Sequence, residues 1–192
     1  MTGIAKKKVL AISGSTRKNS SNLLLIKAIA ALSSKDLDIK VYDKLSQLPH
    51  FDPDVDDTNL PEVIEEFRNE INEADGVLIC TPEYVYSLPG SLKNAIEWTV
   101  STILFLNKPV ALITASGLGE KAHESLQLIM KTVGADFSEQ TQLLIQGARS
   151  KVNSNEEIID VATLVQIKEL ISAFIKSLRK GESPVVKTNS FT

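Results

Sequence analysis

The chain alternates between short continuous apolar runs and longer stretches whose apolar residues recur every three to four positions. Val9-Leu10-Ala11-Ile12-Ser13 is the first such run, and Gly76-Val77-Leu78-Ile79-Cys80-Thr81 is another. Runs of this length without alternation predict parallel strands buried on both faces, here over 9–13, 76–81 and 110–114. Leu37-Asp38-Ile39-Lys40-Val41-Tyr42 alternates instead, which predicts a half-exposed strand at a sheet edge, and a fifth strand is expected within 141–146. Between the strands, helical spacing predicts helices over 20–34, 61–74, 91–104, 120–133 and 156–179. Leu24, Leu25, Ala28, Ile29, Ala31 and Leu32 make one broad apolar side of the first helix. Leu92, Ile96, Val100, Ile103 and Leu104 do the same in the third, and Ile158, Val161, Val165, Ile171, Phe174 and Leu178 in the last. Pro61 opens the second helix, and Gly134 follows the fourth in the C′ place.

Strand–helix alternation of this kind gives an α/β fold: a parallel sheet, right-handed crossovers and helices on both faces. Ligands of such folds bind at the carboxyl ends of the strands. Three unusual loops lie there, after strands one, three and four. The first, 14–22, collects Ser15, Thr16, Arg17, Ser20, Ser21 and Asn22 just before a helix. Free N–H groups at a helix start, hydroxyl and amide donors and one guanidinium suit a phosphate. Helix capping explains Ser20 or Ser21 alone but not the whole cluster, and Arg17 as a solvated loop charge is the plain alternative. Neither the Walker A pattern nor Gly-x-Gly-x-x-Gly is present, so a terminal phosphate monoester fits better than a pyrophosphate. The second loop, 82–89, holds Glu83, Tyr84 and Tyr86 between two prolines, with backbone and aromatic faces for a planar ring. Tyr84 and Tyr86 serve equally well as interface aromatics. The third, Ser116-Gly117-Leu118-Gly119, lets backbone approach a ligand closely. A phosphate at one end and a flat heterocycle at the other describe a mononucleotide such as FMN.

Composition narrows the partners. The 192 residues hold 43% apolar and 23% charged side chains with net charge −3, an ordinary globular balance that argues against nucleic acid. No apolar run approaches a membrane span, and a cytoplasmic protein is expected. One cysteine, Cys80, excludes an internal disulfide framework, and its place at the end of an apolar strand suits an inert packed thiol. His50 and His123 lack partners at metal spacing, so no metal site is expected. Asp52, Asp54 and Asp56 open like a calcium loop, but Asp57 and Val63 stand where that loop needs Gly and Glu, which leaves a solvated acidic loop.

Two stretches carry a family resemblance. Gly14-Ser15-Thr16-Arg17 with Ser20-Ser21-Asn22 resembles the phosphate loop of the NADPH-dependent FMN reductase family. Residues 81–98 (Thr-Pro-Glu-Tyr-Val-Tyr-Ser-Leu-Pro-Gly-Ser-Leu-Lys-Asn-Ala-Ile-Glu-Trp) resemble its second motif, Pro-Glu-Tyr-Asn-x-Ser-x-Pro-Gly-x-Leu-Lys-Asn-Ala-Ile-Asp-Trp. The likeness runs over 8–178. It implies a flavodoxin-like three-layer sandwich with a five-stranded parallel sheet in the order 2-1-3-4-5 that binds FMN; the length itself predicts a single domain, residues 1–180, and the stretch 181–192 reads as a flexible tail. It implies hydride transfer from NADPH or NADH to bound FMN, then reduction of a quinone, flavin, azo or metal-oxyanion acceptor, with the flavin rather than a side chain carrying the chemistry. Ser15, Arg17, Ser20, Ser21 and Asn22 would hold the phosphate, Pro82, Glu83, Tyr84 and Val85 would line the ring, and Ser116, Gly117 and Gly119 would meet its other edge. A homodimer or homotetramer through the helix 91–104 is implied as well, with Glu97 and Trp98 read as interface or core residues. Val85 stands where the family usually has Asn, and the third loop lacks a second glycine pair. A flavodoxin-type electron carrier and a non-catalytic flavin-binding protein are the alternatives, against which Arg17 and the modest acidity weigh for the carrier.

Overall fold

The computed structural model describes residues 5–55 and 59–180. The expected tail over 181–192 lies outside the described residues, as do Asp56 and Asp57 of the acidic loop. Five strands, β1 (Lys7–Ser13), β2 (Leu37–Tyr42), β3 (Gly76–Thr81), β4 (Val110–Ser116) and β5 (Gln142–Gln146), form one sheet in the order β2-β1-β3-β4-β5. All four pairings are parallel, as the alternation of strands and helices requires. The registers Ser13↔Cys80, Thr81↔Thr114 and Ser116↔Gln146 bring the carboxyl ends of four strands to one edge.

Five helices cover the sheet: α1 (Ser21–Ser33), α2 (Glu62–Glu73), α3 (Gly90–Glu97), α4 (Glu120–Thr132) and α5 (Val161–Leu178). Successive strand side chains point to opposite faces. Accordingly Leu10, Ile12, Val77 and Ile79 pack with α2, α3 and α4. Val9, Ala11, Leu78 and Cys80 pack with α1 and α5. The layers are therefore helix, sheet, helix, as the resemblance implied. Each fully buried Leu or Ile contributes about 1.5–3 kcal/mol, so the two cores hold the sheet rigid beneath the loops at its edge.

Three helical expectations need correction. On α1, Ala31 and Leu32 are exposed, while the buried stripe runs through Leu25, Ile26, Ile29 and Ser33 to the end of the helix. The helix expected over 91–104 ends at Glu97, and the chain continues in turns. Thr99 Oγ1 donates to the Ile96 carbonyl at 2.7 Å and Thr102 Oγ1 to the Thr99 carbonyl at 2.7 Å, so local i→i−3 bonds replace the helical ladder. Val100 and Ile103, which continue the apolar spacing, are exposed. The last helix starts at Val161, not 156, because Asp160 caps it, accepting from Thr163 N at 2.9 Å and Thr163 Oγ1 at 2.6 Å. Those two bonds and Lys151 hold the Asp160 carboxyl down at about 2. Val161 and Val165 then fall on the solvent side, while Ile167, Leu170, Ile171 and Phe174 face the sheet.

The second motif serves the fold as much as the site. Trp98 is buried; its Nε1 donates to the Pro49 carbonyl at 2.8 Å, and its ring meets Phe51 edge-on at 5.2 Å. Asn94 Nδ2 donates to the same carbonyl at 2.8 Å and its Oδ1 accepts from Phe51 N at 2.7 Å. Together they clamp the 49–51 segment onto α3. Glu97 pairs with Lys93 at 2.5 Å on the helix surface.

Candidate functional site

The loop after β1 begins at Gly14, whose N–H donates to the Cys80 carbonyl at 2.8 Å. A Cβ on Gly14 would lie 2.2 Å from Thr81 Oγ1, so only glycine lets β1 end this close to β3. Ser13 Oγ donates to the Ser15 carbonyl at 3.1 Å, and Ser15 Oγ accepts from Arg17 N at 3.4 Å, which curls the loop toward α1. Ser20 caps α1, accepting from Leu23 N at 3.1 Å. Its capping role leaves the hydroxyl proton free to donate outward. The N–H groups of Ser21 and Asn22, in the first turn, have no intrahelical acceptor. Arg17 is exposed, and its guanidinium makes no hydrogen bond or ion pair among the described residues.

Asn22 behaves differently from the phosphate donor expected of its side chain. It is buried, its Nδ2 donates to the Ala115 carbonyl at 3.3 Å, and its Oδ1 accepts from Cys80 Sγ at 3.3 Å. The amide is a strut that ties α1 to β3 and β4, which leaves its main-chain N–H for a ligand. Burial pushes the Cys80 thiol well above its ordinary range, as an inert packed cysteine requires.

The loops after β3 and β4 brace one another. Glu83 N donates to Ser116 Oγ at 3.2 Å, and Glu83 Oε2 accepts from Ala122 N at 3.0 Å. Gly119, in the left-handed region at φ +92°, starts α4 without a side-chain cap, and the Glu83 carboxylate supplies the missing acceptor. His123, the residue after Ala122 in the same first turn, shares a 3.0 Å hydrogen bond with Thr114 Oγ1, and burial lowers its pKa.

Tyr84 and Ser87 exchange two backbone hydrogen bonds, 3.0 and 3.1 Å, across a tight turn. The turn's central residues, Val85 at φ +51° and Tyr86 at φ +55°, both lie in the left-handed region, as in a type I′ turn. A β-branched residue is strained there, whereas Asn is tolerated. The family's usual Asn therefore matches the backbone, and Val85 departs from it at a cost. Val85→Asn is expected to raise stability by about 1 kcal/mol. Urea denaturation measures this, and an unchanged midpoint would place the strain elsewhere.

A cavity of about 750 Å³ opens where these loops meet. Ser15, Arg17, Ser20, Ser21 and Asn22 line one part; Pro82, Glu83, Tyr84, Ser116 and Gly117 line another. A Cβ on Gly117 would project into open space, so the wall there is bare backbone. Two expected residues stand outside the lining: Val85, 96% exposed on the turn, and Gly119, buried at the start of α4. Besides the loops after β1, β3 and β4, the loop after β5 makes a fourth wall, absent from the sequence reading, with Gly147, Ala148, Arg149 and Ser150. The signal was available: these residues also follow a strand at the carboxyl edge, and they include a glycine and an arginine.

A doubly wound parallel sheet in the order β2-β1-β3-β4-β5, with a polar cavity at its carboxyl edge, defines an α/β protein of the flavodoxin-like class. Residues 7–149 match the NADPH-dependent FMN reductase family, and the chain belongs to that family of oxidoreductases. It is 30% identical over 176 residues to a quinone reductase of Escherichia coli K12, spanning 88% of this chain and 94% of the relative. It is 32% identical over 177 residues to an NAD(P)H-dependent FMN reductase of Pseudomonas aeruginosa, spanning 90% and 93%. Among solved structures it resembles FerB, a flavoenzyme NAD(P)H:(acceptor) oxidoreductase from Paracoccus denitrificans, at a TM-score of 0.77 and 27% identity over 91% of this chain and 98% of that one.

Proposed function

We propose that the protein binds FMN in this cavity and uses NADPH or NADH to reduce a quinone, flavin, azo compound or metal oxyanion. The observation that carries this reading is the pairing of two unlike walls in one cavity: hydroxyls, free helix N–H groups and Arg17 on one side, and open backbone at Gly117 with the Pro82–Glu83–Tyr84 segment on the other. The first wall fits a phosphate monoester and the second a flat ring, so the residues present suit the cofactor. When bound, FMN supplies the two-electron chemistry.

The chain's own groups bind and position. Ser15 Oγ, the Ser20 and Ser21 hydroxyls, the N–H groups of Ser21 and Asn22, and Arg17 hold the phosphate. Pro82, Glu83 and Tyr84 present their backbone to the ring, and the Glu83–Ser116 and Glu83–Ala122 bonds keep that backbone still. Ser116 and Gly117 border the ring's other edge, with Gly119 shaping their turn and Val85 standing outside, on the rim. Residues 1–180 act as one flavin-binding unit in the cytoplasm. Among the described residues no helix is long and apolar enough to cross a membrane. A homodimer or homotetramer forms through the 91–104 segment, supported by the exposed Val100 and Ile103.

Arg17→Ala is expected to weaken FMN by about 1.5–3 kcal/mol, the scale of a hydrogen bond to a charged group. Flavin fluorescence titration measures it. Unchanged affinity would remove Arg17 from the phosphate wall, and a wild-type chain that takes up no FMN would end the proposal.

A further inference from the structure

Arg149 is the cation on the β5 loop without a carboxylate partner: Lys151 pairs with Asp160 at 3.1 Å, whereas Arg149 makes no ion pair or side-chain hydrogen bond among the described residues. Its backbone is nonetheless well fixed. Gly147 N donates to the Gly117 carbonyl at 3.1 Å, Ala148 is buried in the core shared by α1 and α5, and Ser150 N donates to the Gly147 carbonyl at 3.0 Å. Beyond it, Glu156 pairs with Lys27 of α1 at 2.6 Å, so this connection is tied to the helix whose first turn faces the cavity. Arg149 borders the same cavity as Arg17. The cavity's lining holds one carboxylate, Glu83, and that is engaged at the α4 N-terminus.

A phosphate is the group in the proposed ligand that gives a second free guanidinium a counterion. A phosphate monoester carries about −1.5 to −2 at pH 7. Arg17 supplies +1 and the α1 N-terminus about +0.5, which balances a phosphate at about −1.5 and leaves the full dianion about half a charge short. A neutral ring or ribityl chain gains little from a second cation.

Resting on the FMN reading above, we infer that Arg149 is a second guanidinium for the flavin phosphate, reaching it from the β5 loop, and that the Arg17–Arg149 pair makes the protein select FMN over unphosphorylated riboflavin. Arg149 is exposed, so its replacement leaves the core intact.

The test is fluorescence titration of wild type, Arg149→Gln and Arg149→Lys with FMN and with riboflavin, alongside the KM for NADPH. Arg149→Gln should weaken FMN about tenfold or more, the scale of one charge-assisted hydrogen bond, and move riboflavin by less than about twofold. Arg149→Lys should recover part of the FMN preference as a point charge. Three results would overturn the inference while leaving the FMN reading standing: FMN affinity unchanged in Arg149→Gln, equal weakening of both flavins, or a raised KM for NADPH with FMN unaffected. A wild-type protein that binds neither flavin would instead remove the FMN reading, and this inference with it.

Discussion

Gly14→Ala should destabilise the protein by about 3 kcal/mol, at the upper end of the usual cost of overpacking. The added methyl carbon meets Thr81 Oγ1 at 2.2 Å and Thr81 Cβ at 2.6 Å, and Thr81 is fully buried in a central strand. Neither strand yields easily, because Gly14 N and the Cys80 carbonyl are joined at 2.8 Å. The loop that starts at Gly14 must move with it, so the folded fraction should also take up FMN more weakly. Gly90→Ala is the control. A Cβ there meets nothing within 4 Å, and the position opens α3, so this variant should match or exceed wild type in urea. If Gly14→Ala unfolds at the same urea concentration as wild type, the close approach of β1 and β3 is not what shapes the loop.

Trp98→Ala should cost about 3–5 kcal/mol, the range for removing a buried aromatic. Its ring is almost fully buried against Phe51, and its Nε1 holds the Pro49 carbonyl. Asn94 keeps its own bond to that carbonyl, so the 49–51 segment loosens rather than detaches. Trp98 lies outside the cavity lining. The variant's stability should therefore fall far more than its FMN affinity, when both are measured below the unfolding transition. A parallel collapse of FMN affinity in the still-folded protein would show that α3 positions the ring-side loop more directly than the geometry indicates.

The sheet was readable because its strands announce themselves. Residues 76–81 and 110–114 are apolar without interruption, as burial between two helical layers demands, and the alternation of 37–42 marked an edge strand. Helix ends were harder. Val100 and Ile103 continue the spacing of α3, yet the chain leaves the helix at Glu97 for turns that Thr99 and Thr102 sustain with their own hydroxyls. Val161 and Val165 misled similarly, although Asp160 three residues before Thr163 carried a usable capping signal. Within the site, glycines and hydroxyls after an apolar run pointed to three of the four walls. The fourth, at Arg149, follows the shortest strand and is marked by one glycine and one arginine. The roles of Asn22 and Glu83 were hidden for a different reason. Both sit in the right loops, but their side chains bond to Ala115, Cys80 and Ala122, neighbours distant in sequence that only the folded sheet brings near. The left-handed backbone at Val85 was illegible because valine is the residue least expected there.

On the proposed function, this chain is an FMN enzyme reduced directly by a nicotinamide dinucleotide. The visible spectrum of the FMN-loaded protein under anaerobic conditions, before and after NADPH, tests it most directly. The oxidised-flavin absorbance is expected to bleach on adding NADPH, with no partner protein, and to return on adding a quinone. Flavin that stays oxidised with either NADPH or NADH would contradict it.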